Sequence, residues 1–117
     1  MVDQVKVTET LAKLDKELTS GEPYILGLPG NKRLVFEDFT SWTGEKAERA
    51  EEIMSIATGF QDEPMDVFAE KWLSAKDYKT WNEQGFSFKQ KASILQRASK
   101  HVLKGLTPGE SDASSSS

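Results

Sequence analysis

The sequence contains no cysteine and only one histidine, His101. The missing cysteines exclude disulfides and thiolate metal sites and are compatible with a reducing cytoplasm. His101 has no second histidine or cysteine with which to hold zinc. No apolar run reaches about 18 residues, so we expect no membrane span. The first ten residues lack a basic region followed by an apolar stretch, so we expect no signal peptide.

The motifs of common catalytic sites are missing as well. No GxSxG elbow is present, and Gly27 and Gly30 do not belong to a GxxxxGK[ST] phosphate loop. Asp62, Glu63 and Asp66 are close in sequence but do not follow the ligand order of a calcium-binding EF-hand. We therefore expect a protein that is not an enzyme and that holds no cofactor and no metal.

Charge is distributed unevenly along the chain, although the net charge is only −4. Residues 37–70 carry ten acidic and two basic side chains, and residues 71–105 carry two acidic and eight basic ones. Two interpretations are open. The two halves neutralise each other within one fold or between copies, or the basic half meets an acidic partner.

The first 21 residues predict an amphipathic helix. Thr8 is a possible cap for a helix over residues 9–19, and its apolar stripe has helical spacing. The stripe consists of Val7, Leu11, Leu14 and Leu18. This helix either lies on the core as a peripheral element or pairs with another subunit or a partner.

Residues 23–36 predict a β-hairpin. Two short β-prone runs, 24–26 and 33–36, enclose Leu28-Pro29-Gly30-Asn31, which is rich in turn formers. Pro29-Gly30 suits the centre of a type II turn. Because a lone hairpin is marginal in water, its apolar face is expected to pack on helices.

Four helices are predicted after the hairpin, at about 44–58, 64–73, 75–84 and 88–104. Thr43 is the expected N-cap of the first, and Gly59 its end. Ser74 begins the third helix, and Ser87 with Gln90 forms a capping box for the fourth. Gly85 and Gly105 have the positions of left-handed C-terminal caps. The expected fold is therefore mainly α with a small N-terminal β-hairpin (α+β), with four to five helices in all.

The remaining segment, residues 106–117, is rich in glycine and serine and offers little to bury. We expect it to be a disordered tail. Residues 22–105 are then the single globular domain.

Large apolar side chains recur at helical spacing in residues 65–81, and two interpretations compete for them. Stripes of this kind are usually core, but methionine and aromatic residues are also over-used at partner grooves. The candidate partner-binding residues are Met65, Phe68, Trp72, Tyr78 and Trp81. In the last helix, Phe88, Ala92, Leu95, Ala98 and either Val102 or Leu103 form one apolar face.

A cluster of cations in the last helix raises the alternative of nucleic-acid binding. The cluster comprises Lys89, Lys91, Arg97, Lys100 and Lys104. Two helices with a short link also have the outline of a helix-turn-helix. The chain is acidic overall, however, whereas a nucleic-acid footprint is usually strongly basic, so nucleic acid is disfavoured as a partner.

Three features of the chain resemble the tail assembly chaperones of long-tailed bacteriophages (siphoviruses). The first is a small chain with an early hairpin followed by helices. The second is L-S-A-K-D-Y-K-T-W at Leu73–Trp81, similar to the L-[ST]-x-x-[DE]-[YF]-x-x-[LFW] stretch of that family and followed by one more amphipathic helix. The third is the ending G-E-S-D-A-S-S-S-S at residues 109–117, which is similar to the Ser-rich endings of these proteins.

The resemblance implies a non-enzymatic chaperone that acts in viral tail assembly, in the host cell cytoplasm, and is absent from the mature virion. Such proteins bind and solubilise the tape measure protein while tail tube subunits polymerise around it. A longer product of programmed frameshifting, which would reach the tail tube protein, is implied for the family, and this chain would be the short form. Repeated weak contacts would favour a homo-oligomer. The alternatives are a head–tail connector or other structural tail component, and a small DNA-binding regulator.

Overall fold

The structure is a computed structural model that describes Thr8, residues 10–17 and residues 22–104. As predicted, the fold is mainly α with one antiparallel hairpin near the N-terminus. The elements are α1 (Leu11–Glu17), β1 (Tyr24–Leu28), β2 (Lys32–Phe36), α2 (Glu45–Ala57), α3 (Met65–Trp72), α4 (Ala75–Gln84) and α5 (Phe88–Leu103). A single 3-10 turn, Phe39–Ser41, connects the hairpin to α2. The expected Gly105 cap, the tail at 106–117 and the stripe residues Val7 and Leu18 lie outside the described residues.

The hairpin pairs Tyr24 with Phe36 at its open end and Leu28 with Lys32 at its turn. Gly30 and Asn31 both have a positive φ, 79° and 61°. The predicted type II turn requires a positive φ only at Gly30, whereas two successive positive φ values are typical of a type I′ turn. Leu34 and Phe36 on β2 are fully buried, so one face of the hairpin packs on the helices, as a two-stranded sheet needs.

Local capping signals place α4 and α5 where the sequence predicts them. The Ser74 hydroxyl accepts a hydrogen bond from the Asp77 backbone N–H at 3.1 Å. Ser87 and Gln90 form both hydrogen bonds of the capping box, at 3.1 and 2.9 Å. Gly85 ends α4 in the left-handed conformation (φ 62°, ψ 42°), which a residue with a Cβ adopts only at a cost.

Two predicted N-caps were wrong. Gly44, with a φ of 65°, occupies the N-cap position of α2 in place of Thr43, and no side chain caps this helix. Glu45 and Glu48 in the first turn still interact favourably with the positive end of the helix dipole. In α1, the cap is Thr10 rather than Thr8, because the Thr10 hydroxyl accepts from the Lys13 N–H at 3.2 Å.

An aromatic cluster forms the centre of the core. The Trp72 ring lies 5.1 Å, centroid to centroid, from the rings of both Phe36 and Phe39, in edge-to-face geometry. Trp81 contacts Phe36 at 6.5 Å and Phe86 at 5.2 Å. Edge-to-face pairs add about 0.5–1.5 kcal/mol each beyond the burial of apolar area. The hairpin, α3 and α4 therefore share one set of rings.

One side chain of α4 fixes the hairpin against the helices. The Asp77 carboxylate accepts a hydrogen bond from the Val35 backbone N–H at 3.0 Å. That N–H points away from β1, on the outer edge of β2, where a strand would otherwise present an unpaired donor. Asp77 on α4, 42 residues after Val35 in the sequence, thus covers the outer edge of the sheet.

Candidate partner-binding groove

The five predicted partner-binding residues do not form one surface. Trp72 and Trp81 are 2% and 1% exposed, so they belong to the core, and their assignment to a partner site was wrong. Tyr78 is half-buried against the same core. Met65 is half-buried and Phe68 is 7% exposed, and only these two line an open groove.

Both core tryptophans are held by a hydrogen bond as well as by packing. The Trp72 indole N–H donates to the Glu37 carbonyl oxygen at 2.8 Å, and the Trp81 indole N–H donates to Asp66 Oδ1 at 2.9 Å. A buried indole N–H needs an acceptor, and each acceptor here comes from a different part of the chain. The two rings are therefore fixed within the fold and are not available to a partner.

Asp66 is the one residue of the described chain whose acidity is clearly perturbed. Its pKa is lowered because its carboxylate accepts hydrogen bonds from Trp81 and from Lys91, whose positive charge adds to the effect, while partial burial opposes it. The Lys91 ammonium nitrogen lies 2.9 Å from Oδ1 and 3.2 Å from Oδ2. Asp66 therefore connects α3 with α4 and α5. We see in this a structural role, because every contact of the carboxylate is with the fold itself.

The groove lies where the last turn of α2, the first turns of α3 and one side of α5 meet. Its volume is about 500 Å³. Phe68 and Leu95 are its most deeply buried residues, and Met65, Ala92 and Leu103 are half-exposed. The full lining comprises Ile56, Ala57, Glu63, Met65, Phe68, Ala92, Leu95, Gln96, Ser99, Lys100 and Leu103. An apolar trough between helices is the kind of surface in which an amphipathic helix docks.

Exposed cations run along the flank of α5 beside this groove. Lys89, Arg97, Lys100 and Lys104 are all exposed, whereas Lys91 turns towards Asp66. Phe88, in the first turn of α5, continues the groove-facing side of the helix one turn beyond Ala92 and is 78% exposed. A helix that docks here therefore meets apolar side chains in the trough and positive charge on one flank.

A second hollow, of about 530 Å³, lies between the 3-10 turn and α2. Phe39, Trp42, Ala50 and Met54 line it, and the Lys46 ammonium lies 4.6 Å from the centroid of the Trp42 ring. Lys46 therefore already contacts the largest ring of this hollow, which is half-buried. We favour the groove on α5 as the partner site because its apolar lining continues along a whole helix.

Much of the groove was not among the predicted site residues. Ile56, Ala57, Ala92, Leu95 and Leu103 line it. The spacing of Ala92, Leu95 and Leu103 predicted an apolar face of the last helix. The sequence assigned these residues to a single face with Ala98. In the structure α5 is apolar on two sides, since Ala98 and Val102 pack into the core. The apolar face of α5 is therefore unusually wide, and this width is the feature of the sequence that indicates a second apolar side on this helix.

In comparisons with family models, curated proteins and solved structures, no match to this chain was found. None of the helices in the described ranges is long and apolar enough to span a lipid bilayer. Within those ranges, histidine, aspartate and glutamate side chains nowhere gather in a group of three or more that could hold a metal ion. The case for a function therefore depends on the groove and on the sequence resemblance.

Proposed function

We propose that this chain is a tail assembly chaperone of a long-tailed bacteriophage, which binds the tape measure protein and keeps it soluble during tail assembly. The observation that carries the binding step is the apolar groove between α2, α3 and α5. The choice of partner depends on the resemblance at Leu73–Trp81 and at residues 109–117. Action in the host cytoplasm, absence from the virion and a longer frameshifted form are parts of the same proposal.

The chemistry of the groove suits the proposed partner. A tape measure protein is a long helix former whose apolar stripe aggregates unless it is covered. The groove offers Met65, Phe68 and Leu103 to such a stripe, and methionine adapts its shape to different apolar partners. Weak contacts that repeat along a long partner gain strength from avidity.

The cations beside the groove favour partner segments with acidic residues on one flank of the stripe. Lys89 and Lys100 lie nearest to the groove on the exposed side of α5, and Lys104 follows one turn later. Charge of this kind mainly raises the association rate and sets the orientation of the partner, and added salt screens it. We therefore expect capture to weaken, without disappearing, as ionic strength rises.

The resembling segment itself has a structural part in this proposal. Leu73 is buried, Ser74 caps α4, Asp77 holds β2, and Trp81 closes the core. The segment therefore stabilises the fold in which α3 and α5 form the groove. Similarity in this segment therefore points to the same fold, while the groove supplies the contact surface.

The test is co-expression with a helical fragment of the tape measure protein encoded by the same genome. The full chain should keep the fragment in the soluble fraction and co-purify with it. Ala92→Glu places a charge in the apolar trough, so we expect capture to fall by about tenfold or more, because burying an unpaired carboxylate is costly.

The matched control is Asn82→Glu, which adds the same charge on the exposed side of α4, away from the groove. Its capture should stay within about twofold of the unmodified chain, which is less than 0.5 kcal/mol. Loss of solubility of the fragment even with the unmodified chain would refute the proposed function. Equal losses in the two variants would refute the groove as its site.

A further inference from the structure

The hairpin has one edge that α4 covers and one that stays open. The Val35 N–H points away from β1 to reach Asp77, so Val35 and the opposite residue Ile25 form a non-hydrogen-bonded pair. The main-chain N–H and C=O groups of Ile25, and by the same alternation those of Gly27, therefore point away from β2. In the described part of the chain, β1 pairs only with β2, and these outward groups form no backbone hydrogen bond. We call residues 25–27 the free edge.

Two prolines limit the free edge to a short stretch. Pro23 precedes Ile25 by two residues and Pro29 follows Gly27 by two residues, and neither proline has an N–H to donate. Prolines at a sheet edge prevent uncontrolled pairing with other strands. The free edge therefore offers two donors and two acceptors, which suits one short extended segment.

The fold does not explain the side chains of the free edge. Ile25 is 51% exposed on the outer face of the hairpin. A Cβ on Gly27 would meet nothing within 4 Å, and the φ of Gly27 lies outside the left-handed region, so the chain itself does not require glycine there. Glycine inside a strand weakens it and often marks a place where another backbone approaches closely. A second strand against β1 would explain both residues.

A pocket of about 420 Å³ lies on the inner side of the free edge. Leu26 and Leu28 of β1 line it together with Phe86 and Ile94, and β2 contributes no residue to it. We call it the edge pocket. Because successive side chains of a strand point to opposite faces, one inward side chain of an added strand would enter this pocket, and an apolar one suits its lining.

A positive charge lies beside the edge pocket. Arg97 follows Ile94 by one turn of α5, and one turn later His101 has its ring 5.7 Å from that of Tyr24 on β1. The exposed Arg97 side chain donates from Nε to the Ser93 hydroxyl, which lines the edge pocket, at 3.1 Å. The next inward side chain of an added strand would therefore lie near this guanidinium, which favours a carboxylate.

We propose that the free edge binds an extended segment of a partner protein, antiparallel to β1, with the pattern apolar–x–acidic. The apolar side chain occupies the edge pocket, the acidic one meets Arg97, and the main chain between them pairs with Gly27 and Ile25. The free edge and the edge pocket share no residue with the groove, so this second binding site does not depend on the proposed function.

Charge argues against a second copy of the chain as the occupant. If two β1 strands paired antiparallel, the two-fold axis would be perpendicular to the sheet, and both α5 helices would lie on the same face. The exposed cations of the two helices, Arg97 among them, would then come close together, and like charges brought together are unfavourable. An acidic segment from a partner meets the same cations favourably.

The test is an NMR titration of the full chain with a five-residue capped peptide, threonine-leucine-valine-glutamate-threonine. We expect shift changes and slower hydrogen exchange at the amides of Ile25 and Gly27, with a Kd of about 0.1–1 mM. The Leu26 amide is the internal reference, because its N–H is already used between β1 and β2. A control peptide with an N-methyl group on the valine keeps every side chain but loses one donor to the free edge, so it should bind about tenfold more weakly.

A pair of variants tests the charge. Arg97→Glu should weaken binding of the peptide about fivefold. Lys79→Glu makes the same change of charge on the exposed side of α4, so binding should stay within about twofold of the unmodified chain. Circular dichroism of each variant reports whether the fold is kept.

Equal binding of the two peptides, or equal losses in the two charge variants, would overturn the proposal. Slow exchange at Ile25 and Gly27 in the chain without peptide would overturn it too. Protection that does not change with protein concentration would assign the free edge to the chain itself, and protection that rises with concentration would assign it to a second copy. Capture of the tape measure fragment is measured separately, so the two proposals fail independently.

Discussion

Each tryptophan of this protein combines a large ring with one polar atom that needs an acceptor. The Trp42 indole donates to the Glu37 side chain at 3.2 Å, and the Trp72 indole donates to the Glu37 carbonyl oxygen. Trp81 uses Asp66, which is 15 residues away in the sequence. Glu37 and Asp66 thus orient the rings around which the core packs, and both are ordinary surface residues by sequence alone.

Asp66 gives a prediction at this scale. Asp66→Ala leaves the buried Trp81 N–H without an acceptor, so we expect a loss of about 1–3 kcal/mol in the free energy of unfolding. Asp66→Asn keeps an acceptor oxygen and removes only the charge beside Lys91. Because that ion pair is partly exposed to solvent, its loss should cost less than about 1 kcal/mol.

The dependence on pH follows from the lowered pKa of Asp66 in the fold. A lowered pKa stabilises the protein above the unfolded value, which is about 4 for aspartate, and this contribution is lost as the pH falls through the folded value. The stability difference between the unmodified chain and Asp66→Asn should therefore shrink below about pH 4. Urea unfolding at pH 7, 5 and 3 measures it, and a difference that does not change with pH would contradict this role for the carboxylate.

Helix α4 connects the hairpin to the helical layer, and Asp77 is its contact with β2. Asp77→Ala would leave the Val35 N–H without its acceptor, for which we expect a loss of about 1–2 kcal/mol. Asp77→Asn can still accept this hydrogen bond, and it loses mainly the interaction with the helix dipole, about 0.3–1 kcal/mol. Thermal unfolding of the two variants measures the difference. Equal destabilisation by both would show that the charge, rather than the hydrogen bond, holds the strand.

How far the sequence predicts an element depends on how local its signals are. Ser74, Gly85 and the Ser87–Gln90 pair act within one turn of their helices, and α4 and α5 begin at the predicted residues. The N-cap of α2 was wrongly predicted as Thr43 because Gly44 takes a positive φ that no neighbouring residue indicates. Turn conformations of this kind depend on how the flanking segments pack.

The candidate site was less predictable than the helices, for a physical reason. The groove joins Ile56 and Leu103, which are 47 residues apart in the chain, so no local pattern describes it. Met65 and Phe68, two of the predicted residues, line the groove because the aromatic stripe of α3 faces the core and the groove together. Trp72 and Trp81 share the composition of a binding surface, but complete burial assigns them to the core.

At the scale of the whole molecule, the acidic and basic halves of the sequence meet at few points. The ion pairs between them in the described chain, Lys71 with Glu52 at 3.5 Å and Lys91 with Asp66 at 2.9 Å, are partly exposed. Such pairs contribute about 0–1 kcal/mol each, so mutual neutralisation adds little to the fold. Most cations of α5 remain on its surface, where they are available to a partner.

Backbone NMR of the labelled chain, titrated with the tape measure fragment, tests the central claim most directly. The account predicts that the largest amide shift changes cluster at Ala57, Met65, Ala92, Gln96 and Leu103, around the groove. The amides of Lys79 and Asn82, on the exposed side of α4, should change little. Changes centred on α4 or on the hairpin, or no changes at a concentration at which the fragment stays soluble, would contradict the groove as the binding site.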